Sequence, residues 1–282
     1  MLKGRMKTKI RMGKICYVNC LPFYHRLKLT EECDTELYET YPTKLNLAMR
    51  CGKIDLGPVS SLEYLNHQSK YYILPDFAIG SRDFSGSVLL LSRERIEGLN
   101  KTTIALTKQS LSSAALLKIL MKFKYKFSNR FKVSHEDPET TLSKYKATLA
   151  IGDEALFYQP KEFVYKYDLS ELWWNWTGKP FCFSFWAVRK EFADENQDLV
   201  AGLCSALNQN LERNLVDIET LIKDALHMDF LDPRFSKLFG YLFNLSYKLD
   251  PSMLEGLELF YRLARRMQLS PQPKQLQFFG AR

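Results

Sequence analysis

The chain has 282 residues, a net charge of +8 and the apolar and aromatic content of an ordinary soluble globular protein, which predicts one large domain or two of moderate size. Its apolar runs are far too short to span a bilayer: FCFSFWAV, among the longest, has eight residues. The six cysteines (Cys16, Cys20, Cys33, Cys51, Cys182 and Cys204) include no CxxC pair and no companion histidines at ligand spacing. This excludes a zinc-ribbon or disulfide-framework reading and predicts plain buried thiols with no bound metal.

The first feature is KICYVNCLPFY. Residues 14–18 read as a short strand that runs into a loop holding Asn19 and Pro22, where regular structure pauses because proline lacks a donor. A loop past the carboxyl end of a parallel strand is where open α/β folds bind ligands. Asn19 therefore either offers its amide to a cleft or caps the local turn. Residues 38–41 predict a second strand, and Pro42 starts a helix that Gly52 ends. In KIDLGPVSSLEYL, residues 54–56 predict a third strand, Gly57-Pro58 breaks it, and Ser60 or Ser61 caps a helix whose free N–H groups either take that cap or receive an anion.

Residues 72–75 and 77–79 are strand-like pieces. The loop GSRDFSGS leads to 88–91, an apolar run expected of a strand buried on both faces. Ser85, Gly86 and Ser87 are small enough for a ligand to approach the backbone. A new unit follows, with a strand at 103–106 and an amphipathic helix at 114–123 that has Ser112 and Ser113 at its amino end. This echo of Ser60-Ser61 suggests that both helix starts face one ligand. Residues 131–134 predict another strand. In ATLAIGDEAL a strand turns at Gly152, and Asp153 or Glu154 opens a helix, where an acidic pair suits the dipole. Trp173, Trp174 and Trp176 read as core or interface packing. Residues 181–188 predict a crossing strand, and helices follow at 193–214, 218–226, 235–243 and 251–267 before a tail read as a packed arm or partly disordered.

The order of these elements predicts an α/β protein with a discontinuous first lobe, residues 1–90 plus 187–282, and an inserted second lobe, 91–186. The strands in SVLLLS and FWAVR would cross between them, and the ligand cleft would lie between the lobes. The positive surplus gathers in the first fourteen residues (Lys3, Arg5, Lys7, Lys9, Arg11, Lys14) and in KFKYKFSNRFK. It fits solvated surface or a field favouring an anionic small molecule. With no helix-turn-helix, zinc-finger or RNP pattern, neither nucleic acid nor a membrane is expected as partner. The basic amino terminus has no apolar stretch after it, so a cytoplasmic protein is expected.

The segments YVNCLPFY, DLGPVSSLEYL, SVLLLS, SLSSAALLKIL, IGDEAL and DLSELWWNWTGKPFCFSFWAVR, in this order and spacing, resemble the chorismate dehydratase family of the futalosine route to menaquinone. The resemblance spans residues 14–261. It implies a two-lobed type II periplasmic-binding-protein-like fold and a cofactor-independent hydro-lyase, monomeric or homodimeric. The implied reaction removes water from chorismate, a small dianion, to give 3-[(1-carboxyvinyl)oxy]benzoate. Carried onto this sequence, it implies catalytic roles for Asn19 and Ser87. Substrate contacts would come from Ser60, Ser61, Ser85, Gly86, Ser112, Ser113, Gly152 and Asp153. The proton acceptor is either the substrate's own enolpyruvyl carboxylate or Asp153/Glu154. Arg82, Asp83 and Phe84 depart from the smaller loop expected there; Arg82 suits a carboxylate and Asp83 opposes one. The sister dihydroxynaphthoate synthase, or a non-catalytic cytoplasmic binder of small anions, is the alternative.

Overall fold

The structure, a computed structural model, describes residues 8–29 and 33–280. Lys3, Arg5 and Lys7 of the basic amino-terminal run lie outside the described residues. In chain order the strands are β1 (Thr8–Ile15), β2 (Cys33–Thr40), β3 (Leu56–Ser60), β4 (Tyr71–Ser81), β5 (Val88–Ser92), β6 (Thr103–Thr107), β7 (Arg130–Ser134), β8 (Ala147–Ile151), β9 (Tyr165–Asp168), β10 (Phe181–Arg189) and β11 (Leu245–Ser246). Two mixed sheets result. The larger runs β11-β4-β10-β3-β1-β2 and the smaller β7-β6-β8-β5-β9. The central strands β3, β5 and β8 are buried along their whole length, so they read as continuous apolar or small-residue runs rather than alternating ones.

The chain leaves the larger sheet after Ser81 and returns to it at Phe181. Both passages are made by loops, 82–87 and 178–180. β5 lies wholly in the smaller sheet and β10 wholly in the larger, so neither is a crossing strand as the sequence suggested. β10 pairs antiparallel on both sides, with β3 and β4, and that pairing holds it in one sheet. The first strand also sits earlier than expected, at Thr8–Ile15, because β2 pairs with it in register from Thr8↔Cys33 to Ile15↔Thr40.

Gly57-Pro58 does not break β3. Pro58 pairs opposite Trp186 of β10, while on the other side β3 meets β1 only at Leu56↔Met12, so the missing proline N–H removes no ladder bond there. Gly57 is needed for close approach: a Cβ at this position would meet the Gly13 backbone at 3.0 Å. The two pieces expected around Pro75 form a single strand, β4, with Asp76 at φ +70° where the pairing with β10 shifts register.

A carboxylate ties the larger sheet together. Asp55, 1% exposed, accepts from the Arg11 backbone N–H (2.9 Å), Arg11 Nε (3.0 Å) and Arg11 Nη2 (2.5 Å), and from Arg189 Nη2 (2.9 Å). It thereby joins β1, the start of β3 and the end of β10. Burial pushes the Asp55 carboxyl up, but the hydrogen bonds from Arg11 and Arg189 outweigh it and hold it below the usual carboxylate range. The tail packs as an arm. Ile73 N–H donates to Gln277 O and Phe279 N–H to Ile73 O, both at 2.8 Å, beside two bonds between Gln68 and Lys274. Trp173 is fully buried and packs edge-on against Trp176 and Phe181, which makes it core. Among the described residues, no helix is long and apolar enough to cross a membrane.

Candidate functional site

A cleft with about 580 Å3 of empty space, part of it open to solvent, lies between residues of the two sheets. The larger-sheet half contributes Ile15, Ser60, Ile79, Phe183, Ser184 and Leu245, and the smaller contributes Val88, Ser112, Ser113, Ile151 and Gly152. Asn19, Ser85 and Ser87 line it as well. Seven of the lining residues are serines, and no Asp, Glu, His, Lys or Arg among the described residues lines it.

The serine hydroxyls are oriented by neighbours. Asn46 Nδ2 donates to Ser60 Oγ (2.7 Å) while Asn46 Oδ1 accepts from Ser60 N (3.1 Å). Ser112 Oγ accepts from Leu62 N (3.0 Å), and Ser110 Oγ from Ser113 N (3.1 Å). In each case the hydroxyl accepts and retains its own proton to donate elsewhere. The Leu62 bond also changes how the start of helix Ser61–Asn66 is read. One of its free N–H groups is capped across the cleft by Ser112, so the two Ser-led helix starts face one cavity partly by bonding to each other.

Asn19 sits in a one-turn 3-10 segment, Val18–Cys20, directly after Tyr17. Among the described residues its Oδ1 is buried without a hydrogen-bond partner. An acceptor in this state costs free energy until a donor arrives. Ser87 Oγ lies 2.9 Å from the hydroxyl of Tyr241, in helix Phe235–Asn244. Burial pushes the Tyr241 phenol well up, so it stays protonated.

Four expected contact residues do other work. Ser61 Oγ donates to Cys182 O (2.6 Å) and its carbonyl accepts from Tyr261, so it faces the core: Ser60 ends the strand and Ser61 begins the helix, and they point apart. Gly86 lies behind the cavity wall. Ser85 N (3.1 Å), Ser85 Oγ (2.9 Å) and Gly86 N (2.7 Å) all donate to Asp168 Oδ2, and Val88 N donates to Ser85 Oγ. Ser85 therefore lines the cavity with a hydroxyl whose proton is already committed. Asp153 does not line it either: its Oδ1 accepts from Val18 N (3.1 Å), pinning the segment that carries Asn19. Burial pushes the Asp153 carboxyl up, and the Val18 bond only partly offsets this.

Gly152 is required twice over. Its φ is +65°, and a Cβ would meet the Tyr17 ring at 2.6 Å. Tyr17 in turn donates to Gln109 Oε1 (2.5 Å), joining the two halves at the cavity rim. Arg82 pairs with Asp250 at 3.0 Å on the surface, and Asp83 Oδ1 accepts from Phe84 N, so neither reaches the cavity. The sequence reading missed Ser110, Ser184, Asp168 and Tyr241. Ser184 was findable as the one hydroxyl in an apolar strand, and Asp168 as an N-cap before Ser170 and Glu171. Nothing local marks Tyr241, whose helix is an ordinary amphipathic one.

A family model described as menaquinone biosynthesis matches residues 10–266. This chain belongs to that family. Within the menaquinone-biosynthesis family, it is 31% identical over 265 residues to the chorismate dehydratase of Thermus thermophilus, covering 88% of this chain and 93% of that protein. The fold is that of periplasmic binding proteins. A protein of Archaeoglobus fulgidus superposes with a TM-score of 0.72 at 16% identity, covering 93% of this chain and 98% of the other. The periplasmic aliphatic sulphonate binding protein of Escherichia coli superposes with a TM-score of 0.64 at 14% identity, covering 97% and 94%.

Proposed function

We propose that this family member is a chorismate dehydratase, a cofactor-independent carbon–oxygen lyase of the cytoplasm that converts chorismate to 3-[(1-carboxyvinyl)oxy]benzoate. The observation that carries the reading is the unpartnered Asn19 Oδ1 in a serine-lined cavity without charged side chains. The likeness to the Thermus thermophilus chorismate dehydratase supports it.

The reaction is an elimination. A proton leaves the ring carbon that bears the enolpyruvyl ether, the bond from the neighbouring carbon to its hydroxyl breaks, and the departing hydroxide takes up a proton as water. The ring becomes aromatic, so the protein has mainly to position and polarise. With no ionisable carboxylate or imidazole on the cavity wall, the substrate's enolpyruvyl carboxylate is the proton acceptor in this proposal. Ser60, Ser112 and Ser113 donate to substrate carboxylates, and dense neutral donors substitute for cations. Ser110 and Ser184 extend that set. Asn19 Oδ1 accepts a hydrogen bond from the departing hydroxyl and holds it in place, Ser87 donates a hydrogen bond to its oxygen, which polarises the C–O bond, and the proton taken from the ring is the one that completes the water.

The test mixes the purified chain with chorismate, adds no cofactor, and follows products by chromatography and mass. The expected product has lost one water and carries an aromatic ring. Unchanged chorismate from a folded sample would move the assignment to the sister dihydroxynaphthoate synthase or to a binder of small anions.

A further inference from the structure

Asn46 bonds Ser60 twice without lining the cleft. It stands on helix Pro42–Arg50 and is only 3% exposed. A backbone N–H can only donate, so the Asn46 atom 3.1 Å from Ser60 N is the amide oxygen. The other end of the amide is then Nδ2, which has no lone pair to offer, and Ser60 Oγ accepts from it at 2.7 Å. A flipped amide would set N–H against N–H, so the Ser60 backbone fixes the orientation of Asn46. The Ser60 proton is thereby turned away from Asn46, and the residue lines the cleft. Ser61 is the contrary case one position on: its hydroxyl donates to Cys182 O at 2.6 Å, and its proton is spent. Leu62 N and Ser113 N do for Ser112 and Ser110 what Asn46 does for Ser60. Of these three donors, Asn46 alone is a side chain.

From this we infer that Asn46 is a positioning residue of the site: its amide holds Ser60 as a hydrogen-bond donor toward a carboxylate of the ligand. The inference rests on the dehydratase reading, in which Ser60 donates to a carboxylate of chorismate. A buried serine beside an acceptor turns its proton to that acceptor and presents only lone pairs to an anion. Asn46 places a donor behind the hydroxyl instead, and a hydroxyl that accepts is polarised to donate in turn. Asn46→Asp keeps the shape and reverses this. In the ionised acid one oxygen still accepts from Ser60 N, but the other draws the Ser60 proton back. In the protonated acid the O–H donates to Ser60 Oγ as Asn46 Nδ2 does. Burial favours the protonated form and so raises the pH at which the donor is recovered.

The test compares wild type, Asn46→Asp, Asn46→Ala, Ser60→Ala and the Asn46→Asp/Ser60→Ala double variant in the full chain. It measures kcat and KM for chorismate from about pH 8.5 to about pH 5.5, above the ordinary range of carboxylates. Asn46→Asp is expected to raise KM roughly tenfold at the alkaline end, with kcat within about twofold. Its KM relative to wild type is expected to fall toward one as the pH falls. Arg50, Glu63 and His67 pair with one another across helices Pro42–Arg50 and Ser61–Asn66; they are present in every variant, so their titration cancels in that ratio. Asn46→Ala, which no proton can restore, is expected to raise KM roughly threefold at every pH. In the Ser60→Ala background Asn46→Asp is expected to lose most of its effect, because the hydroxyl it would turn is gone. A thermal melt of each variant accompanies the kinetics, and if Asn46→Asp does not melt cooperatively, Asn46→Ala decides. If the wild type leaves chorismate unchanged, the dehydratase reading falls and the role of Asn46 with it. If the wild type is active, three outcomes overturn the role of Asn46 alone: a KM ratio for Asn46→Asp that does not change with pH, a wild-type KM in Asn46→Ala, or an undiminished effect of Asn46→Asp in the Ser60→Ala background. The last would assign the effect to the added charge.

Discussion

Two buried polar places in this chain are built in opposite ways. Around Asp55 every carboxylate lone pair is answered: three donors from Arg11 and one from Arg189 converge on it. Among the described residues the Asn19 amide oxygen is left without a donor, and Ser60, Ser110 and Ser112 accept from the chain while keeping their own protons to donate. The first arrangement is complete within the chain, so its free energy goes into stability. The second is incomplete, so its free energy is released only on binding. Strength of pairing thus separates a structural polar cluster from a ligand site even where both are buried and both join elements distant in sequence.

The contrast makes opposite predictions for stability and turnover. Asn19→Ala should lower kcat on the order of a thousandfold, as loss of a preorganised polar group does, while shifting the ligand-free melting temperature by no more than about 2–4 °C. A large loss of stability with intact turnover would reverse the contrast. Asp55→Ala should do the converse, costing about 3 kcal/mol in urea unfolding by stranding Arg11 and Arg189, with kcat of the folded fraction unchanged.

The same carboxylate gives a pH signature. Its folded pKa is held below its unfolded one, so its stabilisation is fully present above the unfolded value, near pH 4, and is lost as pH falls through the folded value. Urea midpoints measured from pH 6 down to pH 2 should show that loss, and Asp55→Asn should remove this part of the slope. A wild-type slope retained in the variant would assign it to other acids.

Smaller effects sharpen the comparison inside the cavity. Ser60→Ala should raise KM for chorismate roughly tenfold with little change in kcat, by removing one donor to a substrate carboxylate; a fall in kcat with KM unchanged would place Ser60 at the reacting carbon. Asp153→Asn should stay within about threefold of wild type, because its amide oxygen still accepts from Val18 N. Loss of turnover with intact binding would make Asp153 the base.

The sequence carried much of the succession of strands and helices, because β-branched and apolar runs, Pro42 at a helix start and Gly52 at a helix end act locally, but it did not show the helices Pro138–Lys144 and Leu169–Thr177 or the strand Tyr165–Asp168. It misplaced what depends on neighbours. Gly57-Pro58 looks like a break until β10 is seen pairing alongside it. The serine pairs were legible as a set, and Ser60, Ser87, Ser112 and Ser113 do line one cavity with Asn19. Which serine of the first pair faces the cavity was not legible, since that is fixed by where a strand hands over to a helix. Ser85 and Asp153 carry the right chemistry, but their hydrogen bonds are spent on Asp168 and Val18, partners that only the folded chain supplies. Tyr241 was invisible because its meaning comes wholly from contacts across the sequence.

The arm that packs beside β4 has a consequence for synthesis. Ile73 finds backbone partners in Gln277 and Phe279 on its side away from β10, and the Gln68 side chain bonds the Lys274 backbone. While the ribosome has yet to deliver these residues, that stretch of the larger sheet presents open N–H and C=O groups, a template to which another nascent chain can pair. The arm is therefore a built-in shield for that stretch, and it can dock only after Gln277 and Phe279 have been made.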